Sequence, residues 1–85
     1  MIIGVPKEIK NNERRVSLIP FGVEELVKNG HKVIIESNAG LGSGFNNQSY
    51  VKYGAKIVDT PKEVFAKAEL IVKVKEPQKS EYPLI

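Results

Sequence analysis

The chain has no cysteine and a single histidine, His31, so disulfides, thiolate catalysis and cysteine-based zinc sites are excluded together, and no histidine cluster exists to hold a metal. No apolar run reaches membrane-spanning length, and residue 1 onward shows none of the charged, apolar and small-residue sectors of a signal peptide. The expected compartment is therefore the cytoplasm, with no membrane partner, and Asn47-Gln48-Ser49 loses its meaning as a glycosylation sequon. Aromatic residues make up only 7% and form no series on which bases could stack. Basic and acidic residues are interleaved, so a net charge of +3 gives no concentrated positive face and no nucleic-acid partner is expected. What is present, 41% hydrophobic and 27% charged residues in 85, suits one small globular domain with a limited core.

The hydrophobic pattern alternates between strands and helices. Residues 1–5 form a short apolar run stopped by Pro6, which cannot donate to a central ladder. Pro20 suits the first turn of a helix whose Val23, Leu26 and Val27 fall on one face, and Asn29-Gly30 ends it. Residues 32–36 read as a second strand, β-branched through its middle. A short helix from Asn46 or Asn47 to Tyr53 closes at Gly54, and residues 55–58 form strand three. Thr60-Pro61-Lys62-Glu63 opens the third helix as a capping box, and residues 70–75 are read as a fourth strand ended by Glu76-Pro77. Beyond Glu76 no further secure element is expected. The order β-α-β-α-β-α-β implies an α/β fold: a flavodoxin-like, open and mostly parallel sheet with helices on both faces, here incomplete.

The link between strand one and the first helix runs to about a dozen residues, where such links usually take 2–6. It carries Lys7, Lys10, Arg14 and Arg15 against Glu8 and Glu13, and it leaves from the carboxyl end of a strand, where open α/β sheets bind ligands. That composition suits a carboxylate-binding loop with Arg15 as its clamp. Lys73 and Lys75, two apart on the fourth strand, point to one face, and Lys75 lies at the carboxyl edge. Spacing leaves two readings open: Arg15 and Lys75 converge on one small anion, or both are solvated charges. Within 15–18, Val16 and Leu18 point one way if the segment is extended and Arg15 with Ser17 the other, which separates Arg15 from Arg14 in role.

Gly40-Leu-Gly-Ser-Gly44, set between a strand and a helix with Asp59 at a distance of 19, imitates a dinucleotide fingerprint. Phe45 occupies the place where the fingerprint needs a small residue for helix and strand to meet. The stretch is read instead as a tight turn seating an aromatic ring, so no cofactor-binding residue and no metal ligand is assigned.

Four segments, Ile3-Gly-Val-Pro-Lys-Glu8, Asn12-Glu-Arg-Arg-Val-Ser-Leu-Ile-Pro20, Gly40-Leu-Gly-Ser-Gly-Phe45 and Val72-Lys-Val-Lys-Glu-Pro77, together resemble the N-terminal part of the bacterial alanine dehydrogenase family. The related alpha subunit of proton-translocating transhydrogenase shares the first two signatures, while Gly42-Ser-Gly44 and Lys75-Glu76-Pro77 look more like the dehydrogenase. The resemblance implies that Arg15 holds the carboxylate of pyruvate or L-alanine and that Lys75 reaches carboxylate and keto oxygen as a substrate-binding and catalytic group. It implies NAD as the cofactor, a homo-oligomeric and even hexameric parent, and a catalytic histidine, a catalytic aspartate and a Rossmann domain lying beyond Ile85. Residues 1–85 are then expected to be the N-terminal part of the substrate-binding domain, inactive alone. A small flavodoxin-like binding module without catalysis is the reading from another class.

Overall fold

A computed structural model describes every residue from Met1 to Ile85. Four strands, β1 (Ile2–Val5), β2 (Lys32–Glu36), β3 (Lys56–Val58) and β4 (Leu70–Ile71), form one sheet in the order β3-β2-β1-β4. Every neighbouring pair is parallel, with Ile3 opposite Val33 and Leu70, and Ile35 opposite Ile57. Three helices make the crossovers: α1 (Pro20–Lys28), α2 (Asn47–Lys52) and α3 (Pro61–Lys67).

The strands are apolar through their middles because both faces are covered, and alternation divides them between two cores. Val5, Val33 and Ile35 pack on one face with Val23 of α1 and Tyr50 of α2. Ile34 and Val58 pack on the other with Val64 of α3, flanked by Ile2, Ala68 and Ile71. Gly4 lies where α3 crosses β1: a Cβ there would come within 2.6 Å of the Ala68 Cβ and 2.9 Å of a Val64 methyl. Gly4→Ala should therefore overpack this contact and cost about 1–3 kcal/mol of stability, read as a lower urea midpoint at unchanged slope. An unchanged midpoint would mean that α3 shifts freely.

The helix ends obey the local sequence. Pro20 begins α1, Asn46 caps α2 by accepting the Ser49 N–H at 2.9 Å, and Thr60 caps α3 by accepting the Glu63 N–H at 3.3 Å.

Two features depart from the expected layout. The fourth strand, expected over 70–75, stops at Ile71. The Val72 N–H still donates to the Gly4 carbonyl, but the next peptide groups have other partners: Ser17 Oγ donates to the Val72 carbonyl at 2.7 Å, and the N–H groups of Val74 and Lys75 donate to the Glu8 carboxylate. Beside them Pro6 has no N–H to extend the ladder. Lys73 and Lys75 are consequently not successive members of one strand face. The second departure is the tail, where a 3₁₀ helix over Lys79–Leu84 is held by a capping box in which the Gln78 N–H donates to Glu81 Oε1 at 2.9 Å. Few apolar residues mark it, since its anchor is a carboxylate and not a hydrophobic stripe.

Strand order reverses at β1: the chain steps outward from β1 to β2 to β3, then returns to place β4 on the other side of β1. The crevice at the carboxyl ends of β1 and β4 is thus the topological switch point, the usual ligand position in an open α/β sheet. The long basic loop and the 73–75 segment both begin there.

Candidate functional site

The loop from Pro6 to Ile19 is ordered by contacts spread along its length. At its start the Lys7 N–H donates to Glu36 Oε1 at 2.9 Å; burial raises the Glu36 carboxyl above its ordinary value, while this bond pulls it back. Asn12, at φ +67°, turns the loop in a conformation that Asn tolerates, and the Glu13 N–H closes on the Lys10 carbonyl at 3.0 Å. Lys10 pairs with Glu76, whose carboxyl it holds down to about 2. At the far end the buried Tyr50 hydroxyl donates to the Leu18 carbonyl at 2.7 Å; burial pushes that phenol up to about 12, so it remains a donor.

The glycine turn buttresses the same loop. The Ser43 hydroxyl donates to the Arg14 carbonyl and accepts the Val16 N–H, each at 3.2 Å. A Cβ on Gly42 would lie 2.5 Å from the Arg14 carbonyl oxygen, so only glycine lets the two backbones pass. Phe45 packs against the core and meets Tyr50 edge-on at 6.5 Å between centroids. This turn does not fit a dinucleotide pyrophosphate: its bare backbone faces Arg14, and the first turn of α2 is capped by Asn46.

Val16 and Leu18 pack toward the core while Ser17 bonds Val72, and the Arg15 side chain is 68% exposed. Glu13 grips Arg15 in a planar fork: Nε donates to Oε2 and Nη2 to Oε1, both at 3.0 Å, and the Arg15 N–H adds a third bond at 2.9 Å. The fork uses one edge of the guanidinium and leaves the Nη1–Nη2 edge without a partner. Hydrogen bonds from Arg15 hold the Glu13 carboxyl down to about 2, and the charge of Lys75 adds a smaller pull. A depressed carboxyl stabilises the fold fully above its unfolded value near 4.5, and that contribution is lost as pH falls through the folded value. A ¹³C titration should therefore place the Glu13 midpoint near 2 in the wild-type chain and return it toward 4.5 in Arg15→Gln. A wild-type midpoint near 4.5 would show that the fork does not form.

A hollow of about 490 Å³ opens over this loop, its walls including Lys7, Glu8, Glu13, Arg14, Arg15 and Gly42. Three cations face two carboxylates, and both carboxylates are already engaged, which leaves the hollow suited to an anion. A neighbouring hollow of about 470 Å³ is more apolar and is bordered by Phe65, Ile71, Lys73, Lys75, Pro77 and Leu84. Arg15 and Lys75 thus line separate hollows, and the two side chains expected to converge on one anion are not brought together on a single wall.

Between the hollows lies a buried ion cluster. Lys73 Nζ is 3.3 Å from Glu8 Oε1 and 3.3 Å from Glu81 Oε2, with the three side chains 6%, 2% and 3% exposed. Lys73, grouped with Lys75 as a surface or site charge by its spacing, is in fact an interior one. Glu8, Glu13, Ser43 and Tyr50 organise the site without having been singled out by the sequence. Only Glu13 had a local signal, its place two residues before Arg15 in extended chain. No three His, Asp or Glu side chains meet as a metal site, and no helix is long and apolar enough to cross a membrane.

Comparison with known proteins identifies relatives of the same family and fold. Residues 4–85 match the family model for the alanine dehydrogenase/PNT N-terminal domain. An alanine dehydrogenase of Bacillus subtilis (strain 168) is 60% identical over 82 residues, 96% of this chain and 21% of that protein. One from Methanococcus maripaludis is 62% identical over 84 residues, 99% of this chain and 22% of that protein. Among solved structures, an L-alanine dehydrogenase superposes on 100% of this chain and 23% of its own with a TM-score of 0.97 at 53% identity. A transhydrogenase from Sinorhizobium meliloti superposes on 99% of this chain and 24% of its own, with a TM-score of 0.91 at 33% identity. The chain spans about a fifth of the length of the curated relatives it matches.

Proposed function

This chain belongs to the family of alanine dehydrogenase/PNT N-terminal domains, and on that premise we propose that it is the substrate-binding portion of an NAD-dependent L-alanine dehydrogenase. The parent reaction interconverts L-alanine and pyruvate plus ammonium. The observation that carries the reading is the half-used Arg15 fork beside the switch point: Glu13 fixes one edge of the guanidinium, and the free edge has the planar geometry that a carboxylate accepts. Lys75, on the segment that follows β4 and borders the neighbouring hollow, is assigned to the keto oxygen, where it would favour attack by ammonia and stabilise developing negative charge.

Hydride chemistry lies outside these residues, since the glycine turn is not built to cradle a dinucleotide. Nicotinamide binding is assigned to a further domain of a longer enzyme, which by the same proposal works as a homo-oligomer. Against the transhydrogenase reading stands the lower identity to that neighbour, 33% against 53%.

The test uses a full-length alanine dehydrogenase carrying this chain at its N-terminus, most simply the Bacillus subtilis relative with its matching 82 residues exchanged. Pyruvate-dependent NADH oxidation in the presence of ammonium is expected. A folded, NAD-binding exchange product without that activity would refute the proposal.

A further inference from the structure

We propose that Glu8 is a positioning residue for Lys75, setting the catalytic ammonium by clamping the peptide groups that carry it; this rests on the role given to Lys75 above. Glu8 sits three residues past the end of β1, and its side chain is almost fully buried at the floor of the switch-point crevice. One carboxylate makes three bonds to three successive residues: Oε2 accepts the Val74 N–H at 3.0 Å, and Oε1 accepts both the Lys75 N–H at 3.2 Å and Lys73 Nζ at 3.3 Å. This grip replaces the ladder that β4 gives up after Val72. A carboxylate fits because it is acceptor-only at both oxygens, and two backbone donors arrive side by side.

The ion cluster allows the clamp to be separated from the burial of charge. Glu8 and Glu81 are two carboxylates on one ammonium, so Lys73 keeps a counter-charge when either is neutralised. Glu8→Gln leaves the Lys73–Glu81 pair but turns one acceptor into a donor, so either the Val74 or the Lys75 N–H loses its partner. Glu81→Gln removes one carboxylate charge from the same cluster, leaves both peptide bonds to Glu8 untouched, and keeps an amide oxygen to accept the Gln78 N–H. Glu81 is therefore a matched control.

In the full-length enzyme carrying this chain, Glu8→Gln is expected to lower kcat for pyruvate amination by roughly 10- to 100-fold, the scale on which misplacement by about 1 Å acts. KM for pyruvate should stay within about threefold, because Arg15 is held independently by Glu13. Glu81→Gln should leave both constants within about threefold. Equal losses in the two variants, or unchanged kcat in Glu8→Gln, would overturn the inference. If Glu8→Gln does not fold, Glu8→Asp replaces it: its charge persists while its shorter stem cannot hold both peptides, and unchanged kcat there would equally overturn the inference. Lys75→Ala is measured alongside. Retained kcat in Lys75→Ala would refute the role of Lys75 itself, whereas its loss together with an active Glu8→Gln would refute only the clamp.

Discussion

Arg15→Ala is expected to lower kcat/KM for pyruvate by roughly 10- to 150-fold in the full-length enzyme carrying this chain, the worth of a charge-assisted bond to a carboxylate, if the proposed role of Arg15 holds. The side chain is largely exposed, so its strength comes from geometry and not from burial. Glu13 removes rotational freedom from the guanidinium in advance and leaves the Nη1–Nη2 edge for a second fork. Arg15→Lys should recover only part of the loss, since an ammonium cannot present two parallel donors while also holding Glu13 through two others. Arg14→Ala should remain within a few-fold of wild type: what fixes residue 14 is its carbonyl, bonded to Ser43, and alanine has the same carbonyl. Steady-state kinetics at saturating NADH and ammonium check the series. Equal losses at the two positions would mean that the loop offers general positive charge; a larger loss at Arg14 would transfer the role to that residue.

Lys73→Met destabilises the fold by about 3–5 kcal/mol, the cost of leaving buried carboxylates without their counter-ion. Methionine fills the volume of the stem but leaves Glu8 and Glu81 facing each other, each almost without solvent. Against a total of about 5–15 kcal/mol for a domain, such a loss removes most of the folded population at moderate denaturant. Urea unfolding of the chain followed by tyrosine fluorescence reads it. The triple variant Glu8→Gln, Lys73→Met, Glu81→Gln should recover at least half the loss, because no unpaired charge remains. If Lys73→Met melts like wild type, the cluster is hydrated in solution.

The sheet and its crossovers could be read from local signals because each strand and helix carries its own punctuation. Pro20, Asn46, Thr60 with Pro61, and the glycines after α1 and α2 mark ends that need no distant partner. The long loop after β1 was legible for a similar reason: its length and its charges are local. What stayed hidden depends on partners far along the chain. Val72-Lys-Val-Lys75 alternates as a strand should, yet Ser17 and Glu8 take its peptide groups, and no periodicity reports a hydrogen bond formed 55 or 67 positions away. Lys73 looked like a twin of Lys75 because spacing cannot show that two carboxylates wait in the interior. The 3₁₀ tail escaped notice because its stability begins from Glu81, a charged residue that the sequence suggests should be exposed.

The two-residue length of β4 has a consequence for how the molecule opens. β4 meets β1 at only two opposed pairs, Ile3 with Leu70 and Gly4 with Ile71, whereas β1 and β2 match at four. Stability within a domain is uneven, and segments with few paired backbone groups separate first. The segment from β4 through the tail is therefore the natural unit to detach, leaving β1, β2 and β3 with their helices in place. Such an opening breaks the Glu8 bonds to Val74 and Lys75 while the Glu13–Arg15 fork survives. Amide hydrogens of Val74 and Lys75 are then expected to exchange through this partial opening, faster than those of Ile34 and Ile35, so that the Glu8 bonds and the Glu13–Arg15 fork have separate lifetimes.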